Sequence, residues 1–183
     1  MKIIAGRFKG QNLQSFKNKN IRPTMSKVKE TVFNKIQFQI DGARVLDLFA
    51  GTGSLGLEAL SRGAAFVDFV EKHPSSLKIL KENIKIVKTE DQVNIFKEDV
   101  FSFLDKKHST YLWDIILIDP PFTQKLANDV MLKIATLPFS KDEAMIIIES
   151  TKHEIIKDSY MDWHLKDQKN FGDKKLSFFS KIL

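Results

Sequence analysis

A glycine-rich turn joins an apolar strand to a helix in the stretch RVLDLFAGTGSLG, residues 44–56. Its first half predicts a strand over 44–49, and its second half predicts a helix over 55–61. Glycine suits such a turn because only a residue without a β-carbon lets the backbone turn tightly and approach a ligand closely. The stretch therefore predicts a ligand site at the carboxyl end of a strand.

Beyond this stretch, apolar runs alternate with helical patterns. Such alternation is typical of a parallel sheet covered by helices on both faces. The further predicted strands are 65–70, 93–97, 113–118 and 144–149, and the further predicted helices are 75–87 and 125–137. Two last extended stretches, 163–170 and 175–182, flank Gly172-Asp173 and predict an antiparallel hairpin at the far edge of the sheet. The predicted fold class is α/β with a mostly parallel, Rossmann-like sheet.

The net charge of +6 is concentrated at the N-terminus. Residues 1–40 carry nine basic side chains and one acidic one, about +8, and the remainder sums to about −2. This segment predicts a short hairpin of residues 2–8 and 12–16, then a helix capped by Thr24 or Ser26, from which Lys27, Lys29 and Lys35 can point to solvent or to a partner. We predict a basic extension over 1–40 and a catalytic domain over 41–183. A solvated lysine-rich face is the plainer interpretation of the charge.

Composition excludes several classes of protein. A chain of 183 residues with 43% hydrophobic and 28% charged residues is expected to fold as one domain with a short extension. No apolar run matches a membrane-spanning helix, and the first residues do not resemble a secretion signal, so we expect a cytoplasmic protein. Cysteine is absent and the four histidines are scattered. We therefore expect no metal site.

The acidic residues near the turn predict a nucleoside-containing cofactor. Glu71 ends the second predicted strand, where its carboxylate can accept hydrogen bonds from both ribose hydroxyls. The pattern Gly51-x-Gly53-x-x-Gly56 also fits a dinucleotide. However, the Asp47 carboxylate suits the cationic end of S-adenosylmethionine better than a pyrophosphate. Asp99 follows the third strand and either accepts from an adenine amino group or caps the next helix.

The fourth strand runs into Asp119-Pro120-Pro121-Phe122. Consecutive prolines stiffen the backbone and leave carbonyls free to accept hydrogen bonds. The exocyclic amine of a nucleobase is a poor nucleophile unless acceptors hold its hydrogens, and Asp119 and the Pro120 carbonyl could do so. Phe122 would stack on the base and position its nitrogen. A proline-stopped strand with an Asp turn is the structural alternative.

In this order the motifs resemble S-adenosylmethionine-dependent methyltransferases that act on exocyclic amines of nucleobases. The whole chain resembles the RsmD family, whose members methylate a guanine N2 of 16S rRNA in the small ribosomal subunit. Segments 3–6, 22–34 and 171–173 support this narrower resemblance, although Lys174 stands where the family pattern has a threonine. The resemblance implies target-amine residues at Asp119, Pro120, Pro121 and Phe122. It implies cofactor contacts, with S-adenosylhomocysteine as product, at Asp47, Phe49, Gly51, Thr52, Gly53, Gly56, Glu71, Lys72, Asp99 and Val100. It implies RNA contacts at Arg7, Lys9, Arg22, Lys27 and Lys29.

Three other functions stay open at this point. A DNA or other RNA amino-methyltransferase would use the same Asp-Pro-Pro-Phe motif. Against a DNA enzyme, no segment of the chain is long enough for a separate domain that reads DNA sequence. An NAD-dependent oxidoreductase leaves the two prolines and the basic extension unexplained. A non-catalytic RNA-binding assembly factor would not need Asp119. We expect a monomer whose partner is 16S rRNA in the small subunit or in an assembly intermediate.

Overall fold

The computed structural model describes residues 1–16, 23–106, 112–122, 124–138 and 140–181. The strands within them are β1 (Arg44–Leu48), β2 (Phe66–Val70), β3 (Val93–Phe96), β4 (Trp113–Ile118), β5 (Ser140–Thr151), β6 (Ser159–Tyr160), β7 (Trp163–Phe171) and β8 (Lys174–Lys181). The helices are α1 (Pro23–Lys35), α2 (Ser54–Ser61), α3 (Pro74–Val87), α4 (Val100–Asp105) and α5 (Ala127–Ala135), with a 3-10 turn at Glu90–Gln92.

All these strands form one mixed sheet in the order β3-β2-β1-β4-β5-β8-β7-β6. Strands β1 to β5 are parallel, and β5, β8, β7 and β6 pair antiparallel. The strand order reverses between β1 and β4, the place where open parallel sheets bind ligands at their carboxyl ends. The predicted fold class and the C-terminal hairpin are confirmed.

Helices cover both faces of the sheet because successive strand residues point to opposite sides. In β4, Ile115 and Leu117 join a core with α1, α2 and α3, whereas Ile116 and Ile118 join a core with α4 and α5. The predicted stripe of α3 is buried at Leu77, Leu80, Ile84 and Val87. These two cores hold the carboxyl ends of the strands in place.

Two helix predictions need correction. The helix expected over 125–137 begins only at Ala127, because Lys125 has a left-handed backbone with φ 47° that a helix cannot include. Helix α1 begins at Pro23, so Thr24 and Ser26 lie inside it rather than capping it. Proline is well suited to a first helical turn, where its missing N–H costs nothing.

The predicted N-terminal hairpin is short: one bridge joins Lys2 to Asn12, and Ile3 exchanges backbone hydrogen bonds with Gly10 and Gln11. The amides of Ile4 and Ala5 donate to the Glu58 carboxylate instead of to a partner strand. The first residues therefore lie across α2, and Ile3 and Leu13 share a core with the helices of the larger part. The boundary between 1–40 and 41–183 stays a prediction, and the side chains of both parts meet in one core.

Candidate active site

A cavity of about 450 Å³ opens at the carboxyl ends of β1, β2, β3 and β4. Its wall includes four of the predicted elements: the glycine turn after β1, Glu71 after β2, Asp99 after β3 and the Asp119–Phe122 turn after β4. These elements are far apart in sequence and meet because parallel strands end at one edge of the sheet. All four predicted target-amine residues line it, together with seven predicted cofactor residues: Phe49, Gly51, Thr52, Glu71, Lys72, Asp99 and Val100.

Glu71 holds the glycine turn after β1 by hydrogen bonds. It is buried at 7% exposure, and its two carboxylate oxygens accept hydrogen bonds from the backbone N–H groups of Gly51 at 2.8 Å and His73 at 2.7 Å. Each oxygen keeps a second lone pair for a ligand hydroxyl. The residue therefore joins the turn to the predicted ribose position.

Asp99 caps the next helix, and its acceptance of a hydrogen bond from an adenine amine stays a prediction. Its carboxylate accepts from the Phe101 N–H at 2.9 Å, which caps α4, and it also lines the cavity. A hydrogen bond from Lys72 at 2.9 Å, aided by the amides of the helix, lowers the pKa of this carboxyl. An ionised acceptor at the mouth of the cavity suits an exocyclic amine such as that of adenine.

Three predicted cofactor residues do not line the cavity, which corrects the sequence interpretation. Asp47 is 1% exposed and accepts a hydrogen bond of 2.9 Å from the Gly56 N–H instead of facing the cavity. At Gly56 a β-carbon would come within 2.2 Å of the Phe69 ring, and at Gly53 within 2.5 Å of Leu80. These residues shape the turn by close packing, and Gly51 is the one glycine of the three that reaches the cavity.

Burial raises the pKa of the Asp47 carboxyl to about 8. This pKa is the balance of burial and the negative charges of Asp119 and Glu71, which raise it, against the hydrogen bond from Gly56, which lowers it. Three carboxyl groups thus lie close enough to interact beneath the turn. At neutral pH Asp47 is therefore mostly protonated, and of these three groups only Glu71 and Asp119 line the cavity.

Described residues before β1 supply part of the cavity wall, which no sequence pattern indicated. Met1, Lys2, Phe16 and Val28 line the cavity beside the glycine turn. Asn83 of α3 is fully buried and holds this segment in place; its side chain bonds both backbone groups of Gln14 and donates to the Thr52 carbonyl at 2.8 Å.

The predicted RNA contacts divide into three groups. Arg7, Lys9 and Lys27 are exposed, as a phosphate contact requires. Arg22 lies outside the described residues. Lys29 is buried at 6% exposure, so the expectation that it points to solvent is wrong.

Lys29 is buried because its ammonium group pairs with Glu58 at 3.0 Å and donates to the Lys2 carbonyl. Glu58 is fully buried, and its carboxylate also accepts from Arg62 at 2.8 Å and from two backbone amides of the N-terminal segment. The signal that could have revealed this cluster is a lone acid in SLGLEALS, an otherwise uncharged helix.

The described residues hold no cluster of three or more His, Cys, Asp or Glu side chains placed to bind a metal ion. The same residues include no helix long and apolar enough to cross a membrane.

The chain is similar to known proteins over nearly its whole length. The family described as "Conserved hypothetical protein 95" matches residues 1–180. A relative from Haemophilus influenzae named "Ribosomal RNA small subunit methyltransferase D" is 35% identical over 83% of this chain and 79% of its own length. The Escherichia coli protein of the same name is 32% identical over 94% of this chain and 85% of its own. The solved structure of yhhF from Escherichia coli is 30% identical, with a TM-score of 0.88, over 99% of this chain and 97% of that chain.

Proposed function

We propose a methyl-transfer reaction for this chain, which belongs to the family of ribosomal RNA small subunit methyltransferase D. The enzyme transfers a methyl group from S-adenosylmethionine to the exocyclic N2 amine of a guanine in 16S rRNA of the small ribosomal subunit. One observation carries the proposal: the Asp119–Phe122 turn and the cofactor turn at Gly51 line the same cavity. We further propose that the enzyme acts in the cytoplasm as a monomer.

The residues of the cavity fit the cofactor. Glu71 can accept from the ribose hydroxyls and Asp99 from the adenine amine, while Phe49 and Val100 provide apolar wall for the ring. The carboxylates at Glu71 and Asp119 favour a positively charged ligand. When bound, S-adenosylmethionine supplies an electrophilic methyl group on a sulfonium centre.

The Asp119–Phe122 turn positions the amine for attack. Asp119 and the Pro120 carbonyl accept hydrogen bonds from the two amine hydrogens, which directs the nitrogen lone pair into the cavity. Phe122 is 41% exposed, so its ring can stack on a base that has left its helix. The nitrogen would take the methyl group as the bond to sulfur breaks and S-adenosylhomocysteine leaves, and Asp119, already its hydrogen-bond acceptor, can take the surplus proton and pass it to water. Most of the catalysis comes from orientation.

The exposed cations of residues 1–36 would hold the RNA. Arg7, Lys9 and Lys27 are exposed to solvent. Contacts from such side chains to phosphates position a nucleic acid without reading its sequence. The segment that carries them also lines the cofactor cavity. RNA bound there would lie next to the Asp119–Phe122 turn.

The test is incubation with radiolabelled S-adenosylmethionine and either small ribosomal subunits, naked 16S rRNA or DNA, followed by nucleoside analysis. We expect label in N2-methylguanosine from ribosomal substrates, with loss of label in Asp119→Ala and normal label in Asp129→Ala, a matched exposed aspartate of α5. Binding of S-adenosylhomocysteine should survive in both variants. Label in DNA, or lost cofactor binding in Asp119→Ala, contradicts the proposal.

A further inference from the structure

Glu149 and Lys174 form an ion pair in the wall of the cavity, beside the proposed base site. Glu149 lies near the end of β5 and is 7% exposed, and Lys174 is the first residue of β8. The Lys174 ammonium group donates to the Glu149 carboxylate and lies 4.4 Å from the centre of the Phe122 ring. A hydrogen-bond acceptor and a donor thus stand together next to the Asp119–Phe122 turn.

Folding alone gives little reason for this pair. The desolvation cost of a largely buried ion pair offsets most of its attraction, so such pairs add little net stability. The ammonium group also keeps hydrogens beyond the one given to Glu149. Both charges border the cavity rather than the core, which points to a role in recognising a ligand.

Guanine presents a matching pattern. Its Watson–Crick edge carries the N2 amine, then N1–H, then the O6 carbonyl, which is two donors followed by one acceptor. A site that holds the N2 amine on Asp119 therefore needs an acceptor for N1–H and a donor for O6. The carboxylate and the ammonium group supply both.

We propose that Glu149 accepts the guanine N1–H and that Lys174 donates to O6, so that the pair selects guanine. The inference rests on the proposed methyl transfer. Adenine and cytosine place a ring nitrogen that lacks a hydrogen beside their amines, and this acceptor would face the Glu149 carboxylate with no proton between them. A buried mismatch of that kind is strongly disfavoured.

The experiment changes the base and keeps the N2 amine. Small subunits are reconstituted with 16S rRNA that carries guanine or 2,6-diaminopurine at the methylated nucleotide, introduced by ligation. Diaminopurine keeps the N2 amine, replaces N1–H with an acceptor nitrogen and replaces O6 with an amine. We expect the wild-type kcat/KM to favour guanine by about 100-fold or more.

Two variants test the two contacts. Glu149→Gln can donate an amide hydrogen to the diaminopurine N1, so its preference for guanine should fall below about tenfold. Lys174→Met should lower kcat/KM on guanine by about tenfold without lowering the slow rate on diaminopurine, whose 6-amine cannot accept from the ammonium group. Lys174→Arg should keep the preference. Lys152→Met is the control, because Lys152 pairs with the exposed Asp173 outside the cavity wall.

Other results would overturn the inference. If Glu149→Gln keeps the full preference for guanine over diaminopurine, Glu149 does not contact N1. A higher rate on both bases in Lys174→Met means that the ammonium group only obstructs the Phe122 ring. Loss of S-adenosylhomocysteine binding in both variants means that the pair is structural. If the proposed methyl transfer itself is wrong, the wild type methylates neither guanine nor diaminopurine, which distinguishes that result from failure of the inference about Glu149 and Lys174.

Discussion

The Glu71 carboxylate accepts a hydrogen bond of 2.8 Å from the backbone N–H of Gly51. The residue that we propose for the cofactor ribose therefore also holds the turn on which the cofactor would lie. We expect Glu71→Ala to weaken S-adenosylhomocysteine binding by about 100-fold, because both the hydroxyl acceptor and the support of the turn are lost. Isothermal titration calorimetry measures this, and Glu82→Ala on the outer face of α3 should bind normally. Equal affinities for the two variants contradict the role of Glu71.

The buried Asp47 carboxyl should make stability depend on pH. Burial raises its pKa to about 8 in the folded chain, whereas the unfolded chain releases this proton near 3.8. Between these values the folded state binds more protons, so the free energy of unfolding falls as pH rises, by at most about 1.4 kcal/mol per pH unit from this group. Asp47→Asn cannot titrate, and its amide oxygen can still accept from Gly56.

Urea unfolding of wild type and Asp47→Asn between about pH 5 and pH 9 checks this. The variant should gain stability relative to the wild type as pH rises, and the gain should level off above about pH 8. A difference that does not change with pH would show that Asp47 is ionised throughout.

The Glu58 cluster should hold the N-terminal segment in place. Glu58→Gln leaves Lys29 buried without its ion pair, so we expect a loss of about 3 kcal/mol in the free energy of unfolding at pH 7. Glu30→Gln, on the exposed side of α1, should change it by less than about 0.5 kcal/mol.

Comparing the wild type with Glu58→Gln at different pH values also tests the ionisation of Glu58. Burial raises the pKa of Glu58, but the charge of Lys29 and the hydrogen bonds to it outweigh burial and lower it overall. Its stabilising effect is therefore complete above the pKa of the unfolded chain and is lost as pH falls through the lower folded value. The gap between wild type and Glu58→Gln should narrow in acid, and a gap that widens there contradicts the assignment.

Phe122 should stack on the target base and should not contribute to cofactor binding. Phe122→Ala should lower kcat/KM for RNA methylation by about 10-fold to 100-fold, the value of one stacked base, and Phe122→Tyr should restore it. Phe38→Ala is the control, since Phe38 is 87% exposed and is not part of the cavity wall. A change in S-adenosylhomocysteine affinity would place Phe122 in the cofactor site instead.

The exposed cations of residues 1–36 should govern the salt dependence of RNA binding. Each lost phosphate contact reduces the slope of log K against log salt by about 1. The combined variant Arg7→Ala, Lys9→Ala and Lys27→Ala should thus flatten that slope by about 2 to 3, measured by filter binding. Lys29 is left out because its loss would disturb the Glu58 cluster.

A matched triple variant on α3 controls for net charge. Lys78, Lys81 and Lys88 are exposed on that helix or at its end, and their replacement with Ala removes the same charge from another surface. If both triple variants flatten the slope equally, the N-terminal segment has no special role in RNA binding.

Much of the site was predictable because its parts are local in sequence. The apolar run of β4 and the Asp119–Phe122 turn that follows it are contiguous, and the same is true of β1 and its glycine turn. Parallel strands bring their carboxyl ends to one edge, so placing these motifs together required only the strand pattern. The resemblance to a methyltransferase family rested on the same contiguous motifs.

What could not be predicted depends on partners distant in the chain. A lysine on a basic helix is normally solvated, yet Lys29 is buried because Glu58 and the Lys2 carbonyl meet it from other segments. Asp47 turns away from the cavity because the Gly56 N–H bonds its carboxylate beneath the turn. No periodicity indicates which atom a side chain will meet.

The sequence by itself determined the doubly wound sheet, the glycine turn after β1 and the Asp119–Phe122 turn after β4, since each is encoded by neighbouring residues whose backbone preferences suffice. Only the tertiary structure decided which charges face the cavity. It placed Met1, Lys2, Phe16 and Val28 in the wall of the cavity and brought Glu149 to Lys174 from neighbouring strands. Charges are stabilised or expelled by the groups packed around them, and that packing exists only in the folded chain.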